Sequence, residues 1–265
     1  MTEQAHPSSH PLVAHRDGGV LTLTLNVPDR RNPLTPEMRR RLNERLQAAA
    51  TDPETRCIMI TGAGRAFCAG GDVAKMGTRT PLETFAHLSE VRTLVAAMVE
   101  VPKPVVAAVN GAAVGAGLAL ALACDIVVAA ESAKLGLLFS LRGLVPDSGA
   151  TYFVTQQIGR YRTKRWALTG ELISASQAAE WGLVSDVWPD EEFAERAGTL
   201  CDRLAAGPTT ALAMTKRLIN QAGSADLGSV LEAEALSQAV TASTADHQEG
   251  VAAFRERRAP SFQGR

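Results

Sequence analysis

Three short stretches of this chain carry residue types that could do chemistry. Gly62-Ala-Gly-Arg-Ala-Phe-Cys-Ala-Gly-Gly-Asp72 and Gly115-Ala-Gly117 are glycine-rich turns, and Leu144-Val-Pro-Asp-Ser-Gly149 sets one carboxylate, Asp147, on a third. Glycine leaves neighbouring amides unobstructed, and amides in the first turn of a helix have no internal partner. Gly115-Ala-Gly117 stands just before Leu118-Ala-Leu-Ala-Leu-Ala123, a small, helix-forming run. Its amides could therefore hold an anion, or an oxygen that becomes negative during a reaction. Taken alone, such a turn is more often a device for close helix–sheet packing. A second amide-presenting turn shifts the balance toward chemistry. Asp147 is open to two readings: a proton-transferring group, or a turn residue or helix N-cap of the kind Pro-Asp-Ser-Gly favours.

Other reactive types are not arranged for a site. Cys57, Cys68, Cys124 and Cys201 lack metal or redox spacing and suit the reduced, buried thiols of a cytoplasmic protein. His6, His10 and His15 lie near the N-terminus, His87 on a helix and His247 near the C-terminus, with no partner pattern for a metal or a triad. No phosphate-binding loop, dinucleotide fingerprint or zinc spacing is present. The 265 residues can bury a sizeable core, and 27 basic against 28 acidic groups give no nucleic-acid surface. The polar start has no apolar signal core, and no run is long enough to span a bilayer.

The elements that must position the turns alternate in type. Val20–Leu25 alternates apolar and polar residues after an Asp17-Gly-Gly19 turn, whereas Cys57–Thr61, Pro104–Val109 and Asp125–Ala130 are short apolar runs of buried strands. Thr35-Pro36 opens a helix with Met38, Leu42, Leu46 and Ala49 on its core stripe, and Arg39-Arg40-Arg41 is expected to face solvent. A helix is expected over 81–100, after a loop over 73–80 that is expected to be mobile. Further helices are expected over 176–181 and 190–206, then two more to about 258. Residues 1–11 form a disordered lead-in on this reading. Strands alternating with helices predict an α/β architecture with a helical C-terminal extension.

Phe67-Cys-Ala-Gly-Gly-Asp-Val73, Pro104-Val-Val-Ala-Ala-Val-Asn-Gly111 with Gly115-Ala-Gly117, and Cys124-Asp-Ile126 together resemble the enoyl-CoA hydratase/isomerase (crotonase) family. The likeness runs from about Leu12 to the C-terminus and includes Glu180-Trp-Gly-Leu-Val184. It implies a spiral of ββα units over residues 12–205 and a helical trimerisation region over 206–265, giving a homotrimer or hexamer. It implies an acyl-CoA thioester as substrate and no cofactor beyond that CoA moiety. The backbone amides of Gly71 and Ala116 would hold the thioester oxygen as an oxyanion hole. Gly71, Asp72, Val73 and Ala74 would lie along the CoA adenine, and Arg31 either meets the nucleotide phosphates or is a surface loop charge. Asp72 is expected to fix the oxyanion turn through backbone amides, Asp125 to be structural, and Arg257 to approach a CoA phosphate across an interface.

The departures from that family matter most. Its hydratases use two glutamates, and the matching positions here are Ala119 and Phe139. Adding water to a double bond needs a base for the water and an acid for the carbon. Asp147 instead matches the Pro-Asp segment of the family's isomerases, especially the epoxide/enoyl-CoA isomerase branch of phenylacetate degradation, in which this aspartate shuttles a proton. Phe139-Ser140 and Asp246–Phe254 also resemble that branch, while Ala150 departs from its usual glycine. The expected activity is double-bond isomerisation of an acyl-CoA. The alternatives are a hydratase using Glu83 or Glu90, and a non-catalytic acyl-CoA-binding homologue.

Overall fold

The structure is a computed structural model and describes residues 10–72, 77 and 79–265. In chain order its strands and helices begin with β1 (Leu12–Asp17), β2 (Val20–Leu25), α1 (Pro36–Thr51), β3 (Cys57–Gly62), β4 (Ala66–Cys68) and α2 (Pro81–Glu100). Then come β5 (Val105–Val109), β6 (Ala112–Val114), α3 (Ala116–Leu122), β7 (Ile126–Ala130), β8 (Lys134–Gly136) and α4 (Ala150–Thr169), which breaks at Gly159. The chain closes with β9 (Leu172–Ser174), α5 (Ala175–Glu180), β10 (Asp186–Trp188), α6 (Asp190–Ala205), α7 (Thr209–Ala222), α8 (Leu227–Ala242) and α9 (Ala245–Glu256).

Three successive turns follow one plan: a long strand, a short strand, a helix. The long strands β3, β5 and β7 lie side by side in a sheet of order β1-β2-β3-β5-β7-β10, parallel except for the β1–β2 hairpin. The short strands β4, β6 and β8 lie side by side in a second sheet, with β9 antiparallel at its edge. Each pass through a turn thus advances both sheets by one strand.

The larger sheet is covered on both faces, which is why its strands are near-continuous apolar runs. On one face Leu23, Ile58, Ile60, Ala107, Val109 and Ala129 enter the main core with α1, α2 and α3. On the other, Val20, Cys57, Val106, Ala108 and Val128 pack beneath Phe193, Ala197 and Cys201 of α6. A hydrogen bond with Cys201, and then burial, pushes the Cys57 thiol upward, and burial does the same to Cys68, to about 12, and to Cys124, so all three stay protonated at neutral pH. The four cysteines are unpaired.

The 12–17 segment is a strand that hairpins onto β2, and Asn26 holds His10 and Pro11 in place through their carbonyls at 3.1 and 2.6 Å. Three helices, α7, α8 and α9, stand where two were expected. Arg39 does not face solvent: it is 4% exposed, while Arg40 and Arg41 pair with Glu44 and Glu37 on the helix surface. The expected mobile loop falls mostly on residues 73–76 and 78, outside the described residues, as do residues 1–9 of the expected lead-in.

Candidate active site

The candidate site residues follow the carboxyl ends of β4, β6 and β8. β6 lies parallel between β4 and β8, so its end stands about 4.8 Å from the end of each. β4 runs into Gly70-Gly71, β6 into Gly115-Ala116, and β8 into the segment carrying Phe139 and Asp147. The turns after β4 and β6 meet at Gly70 and Ala116, and Phe139 of the segment after β8 lies beside Gly115.

Glycine is required where the first two loops meet. Gly70 has φ 85°, and a Cβ there would stand 2.7 Å from the Val114 carbonyl oxygen and 3.2 Å from the Ala116 nitrogen. A Cβ on Gly117 would stand 2.3 Å from the Cys68 carbonyl oxygen. The turn before Gly71 therefore abuts the first residue of α3 with no room for side chains. Among the described residues, no turn or loop hydrogen bond uses the N–H of Gly71 or Ala116. Two backbone donors at such a junction can hold an oxygen that gains negative charge.

Two asparagines that sequence analysis passed over knit this region. Asn32 is fully buried; its amide donates to the carbonyls of Ala63, Ala66 and Phe67 at 2.9, 2.8 and 3.3 Å, and its Oδ1 accepts from Val27 N–H. Asn110 bonds the carbonyls of Gly62 and Gly64 and accepts from Gly62 N–H. The same loops cross again where Ala69 N–H donates to the Arg31 carbonyl and Leu34 N–H to the Gly70 carbonyl, both at 2.8 Å. A lone Asn between Arg31 and Pro33 was the only sequence signal for the first of these hubs.

Arg31 is exposed, in left-handed conformation, beside that crossing. Asp72 pairs with Nη2 of Arg30 at 2.5 Å. Val73 and Ala74 lie outside the described residues. Arg257 is exposed at the end of α9.

Asp147 is only part-exposed and does not cap α4. The N-cap is Gly149, and no side chain caps that helix end. The carboxyl accepts from Ser148 Oγ at 2.8 Å, and the Asp147 carbonyl accepts from Ala150 N–H. Ser148 has φ 55°, a conformation uncommon for a residue with a Cβ, so the turn is strained at the residue beside the carboxyl. Burial raises the Asp147 pKa above the ordinary carboxylate value, with Ser148 and the nearby charge of Arg39 opposing.

The two hydratase positions hold no acid. Ala119 is fully buried in α3, and Phe139 is 8% exposed with its Cζ 3.8 Å from where a Gly115 Cβ would stand. The alternative glutamates are occupied. Glu83 closes a capping box with Thr80, whose bonds lower its pKa, and Glu90 pairs with Arg39 at 3.0 Å. No cluster of metal-ligating side chains occurs among the described residues, and no described helix is long and apolar enough to cross a membrane.

A spiral of ββα turns closed by C-terminal helices is the crotonase fold, the architecture of enoyl-CoA hydratases and isomerases. The chain belongs to the enoyl-CoA hydratase/isomerase family, whose model matches residues 15–265. It is 42% identical over 258 residues to 1,2-epoxyphenylacetyl-CoA isomerase of Escherichia coli, covering 96% of this chain and 98% of that one. It is 38% identical to 2,3-dehydroadipyl-CoA hydratase of the same organism, covering 96% and 99%. Among solved structures, the enoyl-CoA hydratase from Bacillus anthracis superposes with a TM-score of 0.93 at 32% identity, covering 97% of this chain and 100% of that chain. Members of this family act on acyl-CoA thioesters.

Proposed function

We propose that this enzyme is an acyl-CoA isomerase that moves a double bond through an enolate. The Asp147 carboxylate takes a proton from the carbon alpha to the thioester. The electron pair passes to the thioester oxygen, which the N–H groups of Gly71 and Ala116 hold as it becomes negative. The same carboxyl then returns the proton at the gamma carbon, converting a 3-enoyl-CoA to a 2-enoyl-CoA. One acid suffices because the proton leaves and returns on one face.

The observation that carries this reading is Asp147 itself: a half-buried carboxyl with a raised pKa, on a strained turn, that does not cap the helix it precedes. Ala119 and Phe139 count against hydration, and the 42% identity to a CoA-ester isomerase favours the isomerase branch. Gly71, Asp72 and Arg31, with Val73 and Ala74, are proposed to meet the CoA moiety. The protein is proposed to assemble as a trimer or hexamer through residues 206–265. Incubation with 3-enoyl-CoA and with 2-enoyl-CoA, followed by mass and absorbance, tests the activity. Isomerase action changes absorbance without mass, hydration adds the mass of one water, and a binding protein leaves both unchanged.

A further inference from the structure

Asn32 is fully buried and left-handed, with φ 55°, and Arg31 before it is left-handed too, with φ 59°. Two successive residues with side chains in that region are a local cost that their surroundings must hold in place. What the bend achieves is visible in its hydrogen bonds. The Arg31 carbonyl accepts from Ala69 N–H, and Leu34 N–H donates to the Gly70 carbonyl, both at 2.8 Å. Between them the Asn32 amide donates to the carbonyls of Ala63, Ala66 and Phe67. Residues 31–34 thus grip Ala66, Phe67, Ala69 and Gly70, four of the five residues that precede Gly71.

The gripped strand has little else to fix its place. β4 is a three-residue edge strand, paired in its sheet with β6 alone, and its register shifts between Ala66 and Cys68. A ladder that short is weak by itself. The packing around it leaves no slack: a Cβ on Gly62 would stand 2.1 Å from the Ala66 carbonyl oxygen, and one on Gly111 2.3 Å from that of Arg65. Asn32 is anchored in turn, since its Oδ1 accepts from Val27 N–H at 2.9 Å and its N–H donates to the Val27 carbonyl at 3.0 Å. One end of the side-chain amide therefore closes its own turn, and the other holds β4.

We propose that Asn32 is a positioning residue for the oxyanion hole, holding the Gly70-Gly71 turn against Ala116 so that both N–H groups meet one oxygen. The assignment rests on Gly71 and Ala116 as the donors of the proposed reaction. Asn32 reaches no substrate; it acts through β4 and through the backbone of Arg31 and Leu34. A fixed donor stabilises developing charge only when it is already aimed, and a misplacement of about 1 Å can cost about 10²-fold in rate. Binding of the whole CoA ester depends far less on the direction of one amide.

The test is steady-state kinetics of Asn32→Gly with 3-enoyl-CoA, well below its melting temperature. Glycine adopts the left-handed conformation freely, so the substitution removes the amide and keeps the bend. Turnover, kcat, should fall by about 10–10²-fold with KM nearly unchanged. Lys216→Met, destabilised through an ion pair that does not touch this turn, is the stability control and should keep its kcat. An undiminished kcat in Asn32→Gly, or an equal fall in Lys216→Met, overturns the proposal. Should Asn32→Gly fail to fold, Asn32→Ser carries the test: its hydroxyl keeps one donor, so kcat should fall by a smaller factor, and a wild-type kcat overturns the proposal. Gly71→Pro is assayed in parallel. Undiminished turnover there removes the oxyanion reading itself, whereas an impaired Gly71→Pro beside a wild-type kcat in Asn32→Gly removes this inference alone.

Discussion

Lys216 Nζ lies 2.9 Å from Asp125 Oδ2, joining α7 to the start of β7 through a largely buried ion pair. Lys216 also donates to the carbonyls of Met98 and Lys103, and Asp125 accepts from Val105 N–H at 2.8 Å. The pair thus fastens the C-terminal helices to the sheet that carries the site. Burial raises the Asp125 pKa despite Lys216, so the folded state binds its proton more tightly than the unfolded chain does. Stability from this group is full below the unfolded pKa and falls as pH rises through the folded value. Lys216→Met removes the opposing charge and raises that pKa further. It should cost about 3 kcal/mol near neutrality, less in mild acid, by thermal unfolding at pH 5 and 8. Equal loss at both pH values would count against the pair as the cause.

The glycine junction gives a second expectation. Gly117→Ala places a methyl 2.3 Å from the Cys68 carbonyl oxygen, which is backbone and cannot rotate away. Either α3 or β4 must shift, and both lead into the paired amides. Turnover should fall more than thermal stability does. A variant with wild-type kcat would show that the junction tolerates separation and that the two amides do not act together.

Gly71→Pro removes one proposed oxyanion donor outright. Loss of a single donor of this kind lowers kcat by about 10²–10³, so turnover should fall by that order while CoA-ester affinity, measured by calorimetry, changes little. Undiminished turnover would move the oxyanion assignment elsewhere.

How much of this was legible in sequence follows from physical signal strength. β3, β5 and β7 are buried on both faces and stood out as apolar runs, and the Thr80-Pro81 start of α2 combines an N-cap, an N1 proline and Glu83 of its capping box. β1 was missed because its second half, His15-Arg-Asp17, is exposed and polar. β4, β6, β8, β9 and β10 are three residues each, too short to show a period. Arg39 was misjudged on residue type, although its spacing, three before Leu42 and seven before Leu46, already placed it on the apolar stripe. That the turns at Gly71 and Ala116 meet was expected from the family likeness alone, because only the second sheet sets their strands side by side.

Helix α8 leads to an expectation about assembly. None of its residues is buried, and Leu227, Leu231, Leu236 and Val240 are all exposed. Apolar groups left open along one helix favour association. Light scattering at micromolar concentration should give a trimer or a multiple of it, and replacing Leu231 and Leu236 by Glu should lower the mass. A monomeric wild type would end this expectation.

Asp147→Asn joins activity and stability in one measurement. If Asp147 shuttles the proton, asparagine keeps its size and polarity but cannot accept, so turnover of 3-enoyl-CoA should fall by about 10²–10⁴. Hydration of 2-enoyl-CoA should be negligible in wild type and variant alike, since Ala119 and Phe139 provide no base for water. Stability should move the other way. Burial holds the Asp147 pKa above its unfolded value, so the stability it contributes is full at low pH and declines as pH rises through the folded value. Asparagine does not titrate, and above that range the variant avoids burying a charge. Asp147→Asn should therefore unfold at an equal or higher temperature than wild type at pH 8, with any advantage shrinking as pH falls. A carboxylate kept where it weakens the fold is the mark of a group retained for chemistry. A variant that stays fully active, or that is less stable than wild type at pH 8 but not at pH 4, would make Asp147 a structural residue of its turn.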